Sequence, residues 1–280
     1  MSVVVLGKDG QLGKALQSVL PDAIFLGREN CDMVVFDEIY KTISSIDNVT
    51  HIINAAAYTN VDNAEIDEYN ADIINAKSVG CLSITADQIG AKLIQISTDY
   101  VFDGKADTPY GVDARTNPMS VYGKTKLGGE KNTAQTKKYN IVRTSWLYGD
   151  GNNFVKTMFS LGQARDSVSV VDDQFGIPTY TKDLAIYCKH LTETDEPNGI
   201  YHFSSRGEPI SWARLAESIF IIKSIDCRVD RITTEEFNKM RGGVIAPRPK
   251  YSALELDPNL YIRSWPLCLN DYLMTPAFRI

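Results

Sequence analysis

Tyr122 and Lys126 lie four residues apart in the run Ser120-Val121-Tyr122-Gly123-Lys124-Thr125-Lys126. Residues at i and i+4 share one face of a helix, so the phenol and the ammonium can meet. A tyrosine titrates near ~10 and exchanges protons poorly at neutral pH unless a cation lowers that value. The pair is therefore suited to reducing a carbonyl or oxidising an alcohol. The same spacing also occurs in helices that merely set a surface tyrosine over a solvated lysine. What it means depends on the elements around it.

The N-terminus supplies the first of these. Ser2-Val3-Val4-Val5-Leu6 is apolar and β-branched and reads as a buried strand. It runs into Gly7-Lys8-Asp9-Gly10-Gln11-Leu12-Gly13, and an amphipathic stretch from Leu12 to Leu20 then stops at Pro21. Strand, glycine turn and helix form the setting of a dinucleotide fingerprint, here spaced G-x-x-G-x-x-G. In that reading Gly7 makes the tight turn, Gly10 lets the backbone approach a pyrophosphate, and Gly13 lets the helix pack close to the strand. The free N–H groups of the helix start face the phosphates. The next strand, Asp22 to Leu26, ends at Gly27-Arg28. An arginine there suits the 2′-phosphate of NADPH, and Asp32 nearby suits a contact to the adenine or the ribose, which keeps NADH open.

Strands and helices alternate onward. Thr50 to Asn54 reads as a strand, Asn75 to Ile89 as a helix, and Lys92 to Ser97 as a strand; Tyr122 to Thr136 reads as a helix and Tyr139 to Arg143 as a strand. This alternation predicts an α/β fold with a doubly wound parallel sheet, whose ligands bind at the carboxyl ends of the strands. The glycine turn, Ala55-Ala56-Ala57-Tyr58-Thr59, Thr98-Asp99 and Thr144-Ser145-Trp146 all fall there. The second half is less regular. Val168 to Val171 and Gly199 to Ser204 read as strands. Helices are expected at Asp183 to Leu191 behind a Thr181 cap, at Trp212 to Ile222 behind Ser211, and around Thr234 to Phe237. The division expected is a dinucleotide-binding domain over 1–150 and a smaller, interleaved substrate lobe over 151–280, with the pocket between them.

Composition narrows the classes. Lysine and arginine number 29 against 35 aspartates and glutamates, and no basic run offers a nucleic-acid groove or a membrane-surface helix. The five cysteines are scattered, odd in number and without C-x-x-C, as in a reducing cytoplasm. His51, His190 and His202 lie far apart, and no metal site is expected. No apolar stretch is long enough to span a bilayer, and the strand at residue 2 leaves no room for a signal peptide.

The residues resemble a known family. The glycine turn, the run Asn54 to Asp62 and the run Ser97-Thr98-Asp99-Tyr100-Val101-Phe102-Asp103-Gly104 are similar to the extended short-chain dehydrogenases (a Rossmann fold), and more narrowly to the dTDP-4-dehydrorhamnose reductase family. Tyr122 to Glu130, Arg143 to Gly149, Asn153-Phe154-Val155 and Asp173-Gln174-Phe175-Gly176-Ile177-Pro178-Thr179 fit the same family, as do Ser211-Trp212, Arg248-Pro249 and Ser252. The resemblance implies hydride transfer from NADPH, or NADH, to the C4 carbonyl of a dTDP-4-dehydro-6-deoxy-L-sugar. It implies that Tyr122 protonates the developing alkoxide. Lys126 would lower the tyrosine pKa and hold the nicotinamide ribose, and Thr98 would polarise the carbonyl. The implied cofactor site further takes in Gln11, Leu12, the small Ala55, Ala56 and Ala57, Tyr58 and Asn75. The implied substrate site takes in Thr59, Asp99, Trp146, Gln174 and Arg248, with Trp212 packed in the small lobe. A homodimer is the assembly expected by analogy with the fold.

Three neighbouring readings are distinguishable. A 4,6-dehydratase resembles this chain but carries a glutamate after Thr98-Asp99, where Tyr100 stands here. An epimerase would keep its NAD bound through purification. A non-catalytic subunit similar to the regulatory subunit of methionine adenosyltransferase would bind NADP without turnover, and the retained Thr98, Tyr122 and Lys126 argue against a dead site.

Overall fold

The β-branched opening run forms β1 (Ser2–Leu6), and its Val4, Val5 and Leu6 are shut from solvent, as a central parallel strand requires. Helix α1 (Gln11–Val19) follows and buries Leu12, Gly13 and Leu16. In the computed structural model, which describes residues 2–279, the alternation continues through β2 (Ile24–Leu26), α2 (Phe36–Ser44) and β3 (Val49–Asn54). Two short helices, α3 (Val61–Ala64) and α4 (Glu68–Asp72), run through a π-helical turn, Ile73–Lys77, into α5 (Ser78–Ile89). Next come β4 (Lys92–Thr98), α6 (Val121–Thr133) and β5 (Tyr139–Thr144).

The second half contributes β6 (Leu147–Tyr148), α7 (Phe154–Ala164), β7 (Ser167–Val171), β8 (Phe175–Gly176), β9 (Thr179–Tyr180) and α8 (Thr181–Glu193). It continues with β10 (Gly199–His202), β11 (Ile210–Ser211), α9 (Trp212–Lys223), β12 (Arg228–Ile232), α10 (Thr234–Arg241) and α11 (Trp265–Leu273).

Six strands form one wholly parallel sheet in the order β2-β1-β3-β4-β5-β10. The chain runs from β1 to β2 on one side, then crosses back to place β3 on the other. The crevice outside the carboxyl ends of β1 and β3 is thus the topological switch point, where such sheets take ligands. Alternating side chains divide the core. Val5, Ile53, Ile94 and Val142 pack with Leu12, Leu16 and the α8 residues Leu184 and Leu191. Val4, Leu6, Ile52 and Leu93 pack with Ile39, Ile43 and Leu82 from α2 and α5 on the opposite face. Helices α7, α9 and α11 bury a separate apolar cluster that includes Phe159, Ile219, Phe220, Leu269 and Tyr272. Among the described residues, no helix is long and apolar enough to cross a membrane.

Several boundaries differ from the sequence reading. Helix α6 begins at Val121, because Ser120 caps it by accepting from the Gly123 N–H at 3.1 Å, and it ends at Thr133 rather than Thr136. Asn75 lies in the π turn instead of opening an α-helix. Thr181 is the first residue of α8, not its cap, since Tyr180 holds that position and bonds no free N–H. Ser211 does cap α9, accepting from the Arg214 N–H at 3.1 Å.

Candidate active site

A cleft of about 630 Å³ opens at the switch point. Its floor is the glycine turn. Gly7 has φ +83°, and a Cβ there would lie 2.7 Å from the Ala56 nitrogen, so the turn nests against the end of β3. A Cβ on Gly13 would meet the Gly7 carbonyl oxygen at 2.1 Å; this glycine sits behind the turn and lets α1 press onto it. Gly10, Gln11 and Leu12 line the cleft, as do Ala55, Ala56, Ala57 and Thr59. Arg28 and Asp32 line its outer end, 4.0 Å apart, with the arginine side chain 77% exposed.

The inner end is built from β4, its following turn and α6. Thr98 Oγ1 donates to Asp99 Oδ1 at 3.0 Å and accepts from the Tyr100 N–H at 3.2 Å. Tyr122 packs edge-on against Tyr100 and lines the cleft with Thr98. Burial pushes the Tyr122 phenol up to about 12, with the nearby Thr98 hydroxyl acting in the opposite direction. Lys126 is 5% exposed, and its Nζ donates to the Ile96 carbonyl at 2.6 Å. Burial pushes its ammonium down to about 8, while the Glu130 carboxylate acts in the other direction. Glu130 is itself buried, accepting from Ser97 Oγ at 2.5 Å and from Arg143 Nε and Nη2 at 2.9 and 2.7 Å. Asp99 is also buried; desolvation raises its carboxyl to about 7, and its Oδ2 has no hydrogen-bond partner among the described residues.

Burial is the largest influence on the phenol, and the Lys126 ammonium is bonded to the strand carbonyl of Ile96. At neutral pH the phenol keeps its proton, the form in which it can act as an acid toward a developing alkoxide.

A sequence model of the family described as "RmlD substrate binding domain" matches residues 1–266. The chain belongs to that family. The Bacillus subtilis "Spore coat polysaccharide biosynthesis protein SpsK" is 36% identical over 286 residues, covering 97% of this chain and 96% of that protein. A dTDP-4-dehydrorhamnose reductase of Clostridium acetobutylicum superposes with TM-score 0.90 at 40% identity, over 98% of both chains. One from Bacillus anthracis, solved in complex with NADP, has TM-score 0.91 at 37% identity, again over 98% of both chains.

Within this RmlD-family chain, several expected site residues lie off the cleft wall. Asn75 accepts the Tyr58 N–H at 2.8 Å and donates to the Tyr58 carbonyl and to Thr125 Oγ1, both at 3.1 Å. It thus ties the segment after β3 to α6, between Tyr122 and Lys126, while Asn75 and Tyr58 themselves stay back from the cleft. Gln174 donates to Thr234 Oγ1 at 2.9 Å and accepts from Trp212 Nε1 at 3.3 Å, instead of facing the cleft. Arg248 was expected in the substrate site, but its charge is answered by Asp62 Oδ1 at 2.6 Å. Burial raises the Asp62 carboxyl, yet the bonds from Arg248, the Ala246 N–H and Arg241 outweigh that and lower it to about 2.

Thr144 and Ser145, grouped with Trp146 at a strand end in the sequence, reach the cleft at the end of β5. Other lining residues were not singled out from the sequence. Gly151 and Asn152 close in on the glycine turn, a Cβ on Gly151 coming 3.2 Å from Gln11 Cγ; no local pattern marks them. Cys31 and Met33 line the end near Arg28.

Proposed function

We propose that this protein reduces the C4 keto group of a dTDP-4-dehydro-6-deoxy-L-sugar at the expense of NADPH, foremost dTDP-4-dehydro-L-rhamnose to dTDP-L-rhamnose. The observation that carries the reading is the convergence of Thr98, Tyr122 and Lys126 on the cleft at the switch point. Relatives named dTDP-4-dehydrorhamnose reductase supply the substrate class.

When bound, the dinucleotide supplies the hydride. The glycine turn and the first N–H groups of α1 hold its pyrophosphate, and the absence of a Cβ at Gly7 and Gly10 leaves room for it. Arg28 suits a 2′-phosphate, with Asp32 beside it for the ribose of NADH. Thr98 donates a hydrogen bond to the carbonyl oxygen and polarises it. Tyr122 gives its proton to that oxygen as negative charge develops. Lys126, charged below about pH 8, steadies the phenolate left behind. In this reading residues 1–150 hold the dinucleotide and 151–280 close over the sugar, and the enzyme works as a cytoplasmic protein on its nucleotide-linked substrate.

The test is NADPH consumption with enzymatically generated dTDP-4-dehydro-L-rhamnose and identification of the product by NMR. Turnover to dTDP-L-rhamnose is expected. Folded protein that binds NADPH but does not consume it with this substrate would refute the reading.

A further inference from the structure

Trp146 is held more firmly than a place on a cleft wall requires. Its backbone lies at φ +48°, a region that a bulky residue occupies only when its surroundings impose it. Its indole lies flat on that of Trp212, with ring centroids 3.4 Å apart and planes 1° from parallel. Its Nε1 donates to Ser252 Oγ at 3.1 Å. At Gly176 a Cβ would lie 2.5 Å from the Trp146 Cε2 and Nε1 and 2.8 Å from Ser252 Oγ, so only a glycine leaves the ring its place.

Trp212 is fixed in its turn. It opens α9 directly after the Ser211 cap, and Phe154 packs against it with centroids 4.6 Å apart. Its Nε1 donates to Gln174 Oε1 at 3.3 Å, and Gln174 is anchored through Nε2 to Thr234 Oγ1 at 2.9 Å. Face-to-face stacking is not the geometry that aromatic quadrupoles favour. The pair is therefore held by the frame around it, not by mutual attraction alone. Trp146 lines the cleft, and Trp212 and Gln174 stand behind it.

We propose that Trp212 and Gln174 are positioning residues that fix the Trp146 indole as the wall against which the sugar ring is oriented, without touching the ligand themselves. The inference rests on the reading of the cleft as a sugar-nucleotide site. It also accounts for two members of the Asp173–Thr179 run, since Gln174 orients the supporting ring and Gly176 makes room for the supported one.

Trp212→Leu is the main test, with Trp212→Phe as the conservative variant and Gln174→Ala as the lighter perturbation. Trp212→Leu should raise KM for the keto-sugar nucleotide about 10-fold, the size of one lost aromatic stack, and leave the Kd for NADPH unchanged. Trp212→Phe should recover most of the loss. Binding of dTDP-L-rhamnose should weaken in Trp212→Leu while binding of dTDP alone does not. Two stacked indoles also give an exciton couplet in far-ultraviolet circular dichroism, and the remaining tryptophan, Trp265, takes no part in the stack. The couplet should vanish in Trp212→Leu and weaken in Gln174→Ala. Its disappearance with unchanged KM and unchanged dTDP-L-rhamnose binding would overturn the proposal. So would a parallel loss of NADPH affinity, which marks general damage. If Trp212→Leu does not fold, Trp212→Phe and Gln174→Ala carry the same comparison. Wild-type protein that neither binds dTDP-L-rhamnose nor turns over the keto sugar would overturn the reductase reading, and this role with it. An intact wild-type couplet would then identify the stack as packing alone.

Discussion

The two walls of the cleft are built by different means. On one side, three successive residues of β4 face three residues of α6 spaced four apart: the Ile96 carbonyl accepts from Lys126, the Ser97 hydroxyl donates to Glu130, and Thr98 shares the cleft with Tyr122. Arg143 from β5 completes this wall by pairing with Glu130. It is polar, buried and wired bond by bond. On the other side Trp146 leans on Trp212, with Ser252, 106 residues away in sequence, holding its edge. That wall is aromatic and packed. Reduction of a carbonyl needs a proton at one fixed point, which directional bonds provide. It also needs a dry surface of the right shape, which packing provides.

The sharpest way to break the comparison is to remove the proton. Tyr122→Phe should lower kcat by about 10²–10⁴-fold and leave NADPH affinity intact, since the ring still fills its place. Steady-state kinetics and cofactor titration would measure this. Wild-type turnover would take the phenol out of the reaction and leave the wired wall without a function. Next in size is Arg143→Met. It strands the Glu130 carboxylate in the interior, where both partners are at most 4% exposed, and should cost about 3–5 kcal/mol of stability in urea unfolding. Adding Glu130→Leu should restore much of that loss, because an apolar pair of similar volume leaves no orphaned charge. If the single variant proves as stable as the wild type, the buried ion pair is not what holds α6 to the sheet.

A pH profile sharpens the same point. Lys126 is active in its protonated form, and burial brings its pKa down to about 8. kcat/KM, which reports the free enzyme, should hold below that pH and fall above it. The Glu130 carboxylate favours the charged lysine, so Glu130→Gln should move the falling limb to lower pH. An unmoved limb in folded Glu130→Gln would show that the carboxylate acts on packing alone.

The wired wall was legible in the sequence and the packed wall largely was not. Tyr122 and Lys126 are related by helical spacing, and Gly7, Gly10 and Gly13 by the length of one turn, so local periodicity suffices to read them. The same logic placed β1, β3, β4 and β5 within a few residues. Asn75, Gln174 and Arg248 were singled out through family resemblance, but their hydrogen-bond partners Tyr58, Trp212 and Asp62 lie far along the chain. Only the fold reveals that these polar groups are already satisfied. Gly151 and Asn152 reach the cleft because the loop after β6 bends back toward α1, and nothing local announces that. Trp212 was expected to pack in the second half of the chain; that its partner is the cleft residue Trp146 follows from the meeting of β8, β11 and the Ser252 segment.

The smallest effect belongs to the outer end of the cleft, which is neither wired nor packed. Arg28 is largely in solvent, and its nearest charge, Asp32, is 4.0 Å away. A solvated guanidinium gains little from such a pair. Facing a 2′-phosphate it would gain charge-assisted hydrogen bonds, so Arg28→Ala should weaken NADPH by roughly 10-fold and leave NADH nearly unaffected. The discrimination should shrink as salt is raised, because an exposed contact is screened within a Debye length of about 10 Å at 0.1 M. Equal losses for the two cofactors would remove Arg28 from their selection. A loss that salt did not change would mean that binding buries the arginine, making this end of the cleft a third wall that forms only around its ligand.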